Sequence, residues 1–188
     1  MAEIIVTLRQ ILDTEPCYNP YQKNLVSVDH NLDAPITFRE IAEKINPNDL
    51  VWYFYEALPD HDTLKRHFAI DCVERIIYLI DNKHSRNALT VARKYALGQA
   101  TDNELRTARD MIRDFAWDTT TNTEDNAAWN AIYATVWSTA WAAAKNASWY
   151  AVKAHPTQDA KSDEAKWQAN RIIQLTEAGE WSPITQDL

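Results

Sequence analysis

"AAWNAIYATVWSTAWAAAKNASWYAVKA", residues 127–154, divides into seven words of four residues: AAWN, AIYA, TVWS, TAWA, AAKN, ASWY and AVKA. The third letter of each word is Trp129, Tyr133, Trp137, Trp141, Lys145, Trp149 and Lys153. On a helix each four-residue step advances by about 400°, so successive rings drift by about 40° around the axis. The rings therefore trace a slanted ridge. Beside it runs a row of small residues, Ala127, Ala131, Thr135, Thr139, Ala143, Ala147 and Ala151. A ridge of this kind inserts into the groove of a neighbouring helix, which favours a crossing near about −50°.

No charged residue stands between Asn126 and Ala144, and a helix without a charged face is usually enclosed by its neighbours. The segment is therefore expected to form one long central helix, with Trp129, Tyr133, Trp137, Trp141 and Trp149 as a core ridge. Each buried ring removes roughly 150–250 Å² from water. The alternative leaves part of the ridge exposed for a partner or a dimer mate. Lys145 and Trp149 are then the contact residues, because Lys145 breaks the aromatic column where the ridge meets water.

Outward from this segment, helix signals recur. Thr37-Phe38-Arg39-Glu40 and Thr101-Asp102-Asn103-Glu104 both fit a capping box, in which a Thr oxygen and a Glu carboxylate satisfy free N–H groups reciprocally. Asn46-Pro47 is a third start, since Pro in the first turn gives up no needed N–H. Residues 4–12, IIVTLRQIL, read as a short helix, followed by an extended, Pro-bearing connector to residue 35. From Asp62 to Asp81 apolar residues recur every three or four positions, as in a long amphipathic helix. Ser85 is placed as the cap of the next helix, which ends at Gly98. Residues 118–123 read as a polar hinge, and a last helix runs over 162–177 up to Gly179.

The chain has only 2 Gly and 8 Trp among its 188 residues. So few glycines leave little material for tight hairpins or phosphate-cradling loops. The expected fold is all-α: a single compact domain of about seven or eight helices packed around the Ala/Trp-rich helix. Residues 1–35 supply an N-terminal helix and connector packed on the main body, and residues 36–188 the helical domain.

The net charge is −8, unevenly spread: −6 over residues 1–60, +2 over 61–116, −1 over 117–154 and −3 over 155–188. An acidic balance argues against binding nucleic acid by phosphate neutralisation. It suits either simple solubility or docking on a basic protein partner. Cys17 and Cys72 are the only cysteines, too few for a disulfide framework or a zinc finger. The start, MAEIIVTLRQIL, lacks the apolar run of a signal peptide, and residues 126–144 are too polar for a membrane span. A cytoplasmic protein without a membrane partner is expected.

No phosphate-binding loop, dinucleotide fingerprint, HExxH or nucleophile elbow is present. The best metal constellation is a weak one, His61, His67 and Asp71. His67 and Asp71 stand four apart on one helix face, His61 just before it, and the pair reads equally well as a surface contact. Cys72 falls on an apolar face, where a thiol is usually an inert small hydrophobe. No catalytic residue and no cofactor are expected.

Two stretches carry a family likeness. "TLRQILDTEPC", residues 7–17, and "HSRNALTVARKYALGQATDNEL", residues 84–105, resemble motifs of small alanine- and tryptophan-rich accessory proteins of tailed phages and prophages. The second stretch, with the Ala-rich segment after it, is also similar to an immunity-protein family of bacterial toxin systems. The resemblance implies a helical, phage- or mobile-element-encoded accessory protein of the bacterial host cell that binds a host protein without catalysis. The rival readings are an immunity protein neutralising a cognate toxin, a metal-dependent enzyme with a dispersed site, and a structural phage component. Oligomeric state stays open, homo-oligomers included.

Overall fold

The computed structural model describes residues 2–12, 31–58, 60–79, 83–116, 123–135 and 141–182. Its elements run β1 (Ile5–Thr7), α1 (Leu8–Leu12), β2 (Pro35–Thr37), α2 (Phe38–Ala42), α3 (Pro47–Glu56), α4 (Asp62–Glu74), a 3-10 turn (Ile77–Leu79), α5 (Lys83–Ala96), α6 (Asp102–Ala116), α7 (Thr123–Thr135), α8 (Trp141–Lys153) and α9 (Gln158–Ala178). The fold is all-α apart from the two short strands. Among the described residues no helix is long and apolar enough to cross a membrane. The chain divides into two compact units, residues 1–61 with 166–188, and residues 62–165.

In the first unit, residues 4–12 are not a single helix. Ile5-Val6-Thr7 is a strand, antiparallel to Pro35-Ile36-Thr37 with Val6 opposite Ile36. The β-branched run Ile4-Ile5-Val6 is stiff at χ1 and favours the extended chain. Helix begins only where Thr7 caps it: the Thr7 N–H donates to Gln10 Oε1 at 2.8 Å, and the Gln10 N–H to Thr7 Oγ1 at 3.2 Å. Thr37 and Glu40 make the same pair of bonds at 2.8 and 3.2 Å. VTLRQIL (6–12) and ITFREIA (36–42) are thus two versions of one strand–cap–helix piece. Val6, Leu8 and Ile11 are buried in the first, and Ile36, Phe38 and Ile41 in the second. The pairing of residues 5, 6 and 7 with 37, 36 and 35 relates the two pieces by a local two-fold.

Asn46 caps α3 as expected, accepting from the Asp49 N–H, with Pro47 in the first turn. Phe54 of α3 meets Phe38 edge-on, with ring centroids 6.0 Å apart. The later half of α9 closes the unit. Thr176 O accepts from the Ile4 N–H at 2.7 Å, and Glu177 pairs with Arg39 at 2.6 Å. Gly179 follows at φ 68°, a left-handed turn that glycine adopts without a Cβ clash.

The second unit corrects the central-helix expectation. Residues 127–135 and 141–153 belong to two helices, α7 and α8, that pack side by side, an arrangement impossible within one straight helix. In sequence, the segment from Thr135 to Trp141 holds poor helix formers, Thr135, Val136, Ser138 and Thr139. The Thr135 hydroxyl bonds back to Ile132 O at 2.7 Å, competing with the backbone ladder. Residues 136–140 lie outside the described residues.

The enclosed helix is α4. It packs against α5, α7 and α8, and Leu64, Lys65, His67, Phe68, Ala69, Ile70, Asp71, Cys72 and Val73 are all buried. Regular α-helix ends at Glu74, before the expected Asp81. Ser85 is also corrected: α5 starts at Lys83, so Ser85 is a buried residue within the helix. Gly98, at φ 70°, ends the turn after α5, and Thr101 and Glu104 make the expected box at the start of α6. The hinge expected over 118–123 lies outside the described residues save for Thr123, the first residue of α7.

Candidate functional site

Three polar side chains share one face of α4. His67, Asp71 and Glu74 stand at i, i+4 and i+7, the spacing that stacks residues along a helix. The final turn of α5 brings Arg93 against them. Its Nη2 donates to Asp71 Oδ1 at 2.5 Å and to Glu74 Oε2 at 2.8 Å, and its Nε to Glu74 Oε1 at 3.2 Å. Nη1 lies 3.2 Å from His67 Nδ1. A guanidinium only donates, so this ring nitrogen accepts. Burial and the Arg93 charge push the imidazole down to about 4, outweighing Asp71 and a hydrogen bond to the Ala96 backbone, which both act upward. His67 is neutral near pH 7.

Asp71 and His67 are buried, so the pair that reads as a surface contact in the sequence sits inside. A buried carboxylate is tolerated when it is paired and hydrogen-bonded, and the Arg93 fork does both. The cation in this cluster is Arg93 itself. No protein-family model, curated protein or solved structure matches the chain.

Of the residues singled out for metal, the structure joins His67 and Asp71 through Arg93 and leaves His61 outside the cluster. His61 is half-buried in the turn before α4, its N–H bonded to Leu58 O. Among the described residues no group of three or more His, Cys, Asp or Glu is placed to hold a metal ion. Glu74 and Arg93 went unread in the sequence. Their signal was a second carboxylate three residues after Asp71, on the same face, and a cation in the last turn of the following helix. Cys72 is fully buried.

A second polar cluster lies in the same unit. Arg75 Nε reaches Glu164 Oε2 at 2.7 Å, with Glu164 fully buried, and His155 Nε2 stands 3.6 Å from the same oxygen. These groups span the end of α4 and the start of α9. Both clusters tie helices together.

The surface candidate is α8. Ala147, Ser148, Ala151 and Ala154 are fully buried, so this side of the helix and the turn after it is the packed one. The other side carries Asn146, Trp149 and Lys153, all exposed, at i, i+3 and i+7. Trp149 remains 50% exposed. Lys153 Nζ sits 3.6 Å from the centre of its ring, and Tyr150 meets it edge-on at 4.9 Å. Tyr133, on α7, is half-buried. The side chains of Trp129, Trp141 and Lys145, and all of Trp137, lie outside what is described. Where ridge and groove are both described, the alanine row is buried and the rings are the more exposed.

Proposed function

We propose that the chain is a non-enzymatic accessory protein that works by binding another protein, with the outward face of α8 as its contact surface. The observation that carries this reading is Trp149. It stands half exposed on a helix that cannot roll to hide it, because its opposite side is packed alanine. Exposed aromatic residues on rigid elements are typical anchors of protein interfaces. The buried carboxylates support the same reading: Asp71 is held by Arg93, and Glu164 by Arg75. The likeness of residues 7–17 and 84–105 to phage and prophage accessory proteins suggests a host protein as the target, contacted or inhibited in the cytoplasm. The acidic first third, at −6 over residues 1–60, would favour a basic patch elsewhere on that partner.

The test is site-specific photocrosslinking in a bacterial host. A benzophenone amino acid at Asn146, exposed beside Trp149 on α8, is expected to trap a single protein that the same group at Thr90, exposed on α5, does not trap. Identical adduct patterns at the two positions would refute the reading.

A further inference from the structure

Along the sequence, the residues flanking Trp149 carry a charge opposite in sign to that of the chain as a whole. From Ala127 to Thr157 there is no Asp or Glu, while Lys145 and Lys153 stand four residues to either side of Trp149. Among the described residues Lys153 pairs with no carboxylate. Its ammonium instead lies over the indole face, a contact worth about 0.5–1 kcal/mol at an exposed site. The result is an exposed ammonium–indole pair, Lys153 and Trp149, on a chain of net charge −8.

Building on the binding role proposed above, we infer that the α8 face takes an acidic segment of the protein partner, with a carboxylate on Lys153 and an adjacent aliphatic side chain against the Trp149 ring. Charge complementarity selects this occupant. A basic segment would bring like charge against Lys153 and compete with it for the indole face. A purely apolar one would bury the ammonium without a counter-charge, and an unpaired buried charge is costly. The net negative charge of the chain does not prevent local pairing, because its field is screened beyond about 8 Å at physiological ionic strength.

The experiment uses the full chain labelled with 5-fluorotryptophan, the Trp149 fluorine line being assigned by its loss in Trp149→Phe. Two synthetic peptides are titrated in turn, one alternating Glu and Leu and one alternating Lys and Leu. The Glu peptide is expected to move the Trp149 line. Lys153→Gln should weaken its binding at least fivefold, and Lys153→Glu should abolish it; both substitutions lie on exposed surface and leave the fold intact.

No movement, or equal movement with the Lys peptide, overturns the inference. So does movement of the line with protein concentration alone, accompanied by dimer in sedimentation, which would make a second copy the occupant. Adducts trapped at Asn146 with no response to the Glu peptide would leave the binding role standing and remove the acidic partner. Absence of both would remove the two together.

Discussion

Helices α4 and α8 are packed neighbours of the same length, 13 residues each, yet they use their residues in opposite ways. Helix α4 buries large and charged side chains on nearly every side, Phe68, Ile70, Lys65 and Asp71 among them. Helix α8 buries alanine and serine and holds a tryptophan outward. A helix among several neighbours needs bulk to fill the spaces between them, at the density of an organic crystal. A helix lying close against two neighbours needs small residues to let the backbones approach. Size at the contact, more than hydrophobicity along the sequence, decides which helix is central.

The sharpest way to break this contrast is to remove the charge that makes α4 tolerable inside. Arg93→Ala leaves Asp71 and Glu74 without their cation. Chemical denaturation is expected to show a loss of about 3–5 kcal/mol, the cost of breaking a buried pair from one side. Arg93→Lys should recover only part of that, since an ammonium lacks the planar fork that serves Asp71, Glu74 and His67 together. A loss under 1 kcal/mol for Arg93→Ala would mean that the pair is solvated and α4 is not enclosed.

The second prediction uses acid. His67 in the folded chain titrates at about 4, below its ordinary 6.5, so the unfolded chain takes up this proton first. The stability contributed by the neutral ring is complete above pH 6.5 and is lost as pH falls from there through 4. Between pH 6.5 and about 5, above the range of ordinary carboxylates, the loss should reach roughly 1–2 kcal/mol. A His67→Gln variant, which cannot titrate, should lack that component of the slope. Identical pH dependence in the two proteins would show that His67 does not titrate as its burial requires.

Overpacking the alanine side of α8 tests the other half of the contrast. Ala151→Leu is expected to destabilise by about 1–3 kcal/mol, because a fully buried alanine leaves no room for three more carbons. Last and smallest, Trp149→Ala should cost about 1 kcal/mol, little more than the exposed Lys153–indole contact it removes, while abolishing adducts trapped from neighbouring exposed positions. A loss above 2 kcal/mol on denaturation would return Trp149 to the core.

Most local signals in the sequence carried over to the structure, the Ser85 cap being an exception. The Thr37 and Thr101 boxes, the Asn46 cap and the glycine at 98 each depend on a handful of adjacent atoms. Thr7-Leu8-Arg9-Gln10 fits the same box, but the reading of residues 4–12 as one helix masked it. The β-branched run before Thr7 was the signal that could have corrected this. The site was half legible. His67 and Asp71 are paired by spacing alone, whereas Arg93 joins them from another helix, and its place in the last turn of that helix does not by itself say which carboxylate it meets.

Composition and periodicity by themselves determined that this chain is helical, where most of its helices start, and that an alanine row and an aromatic row run side by side through residues 127–154. Those properties depend on backbone hydrogen bonding and side-chain spacing, which act over a few residues. Only the tertiary structure decided that these residues form two helices, that their alanines face inward, and that the histidine–aspartate pair is a buried ion cluster closed by Arg93. Each of those outcomes depends on which surfaces meet across the chain, and a row of small residues beside a row of rings is compatible with burying either one until a neighbour is in place.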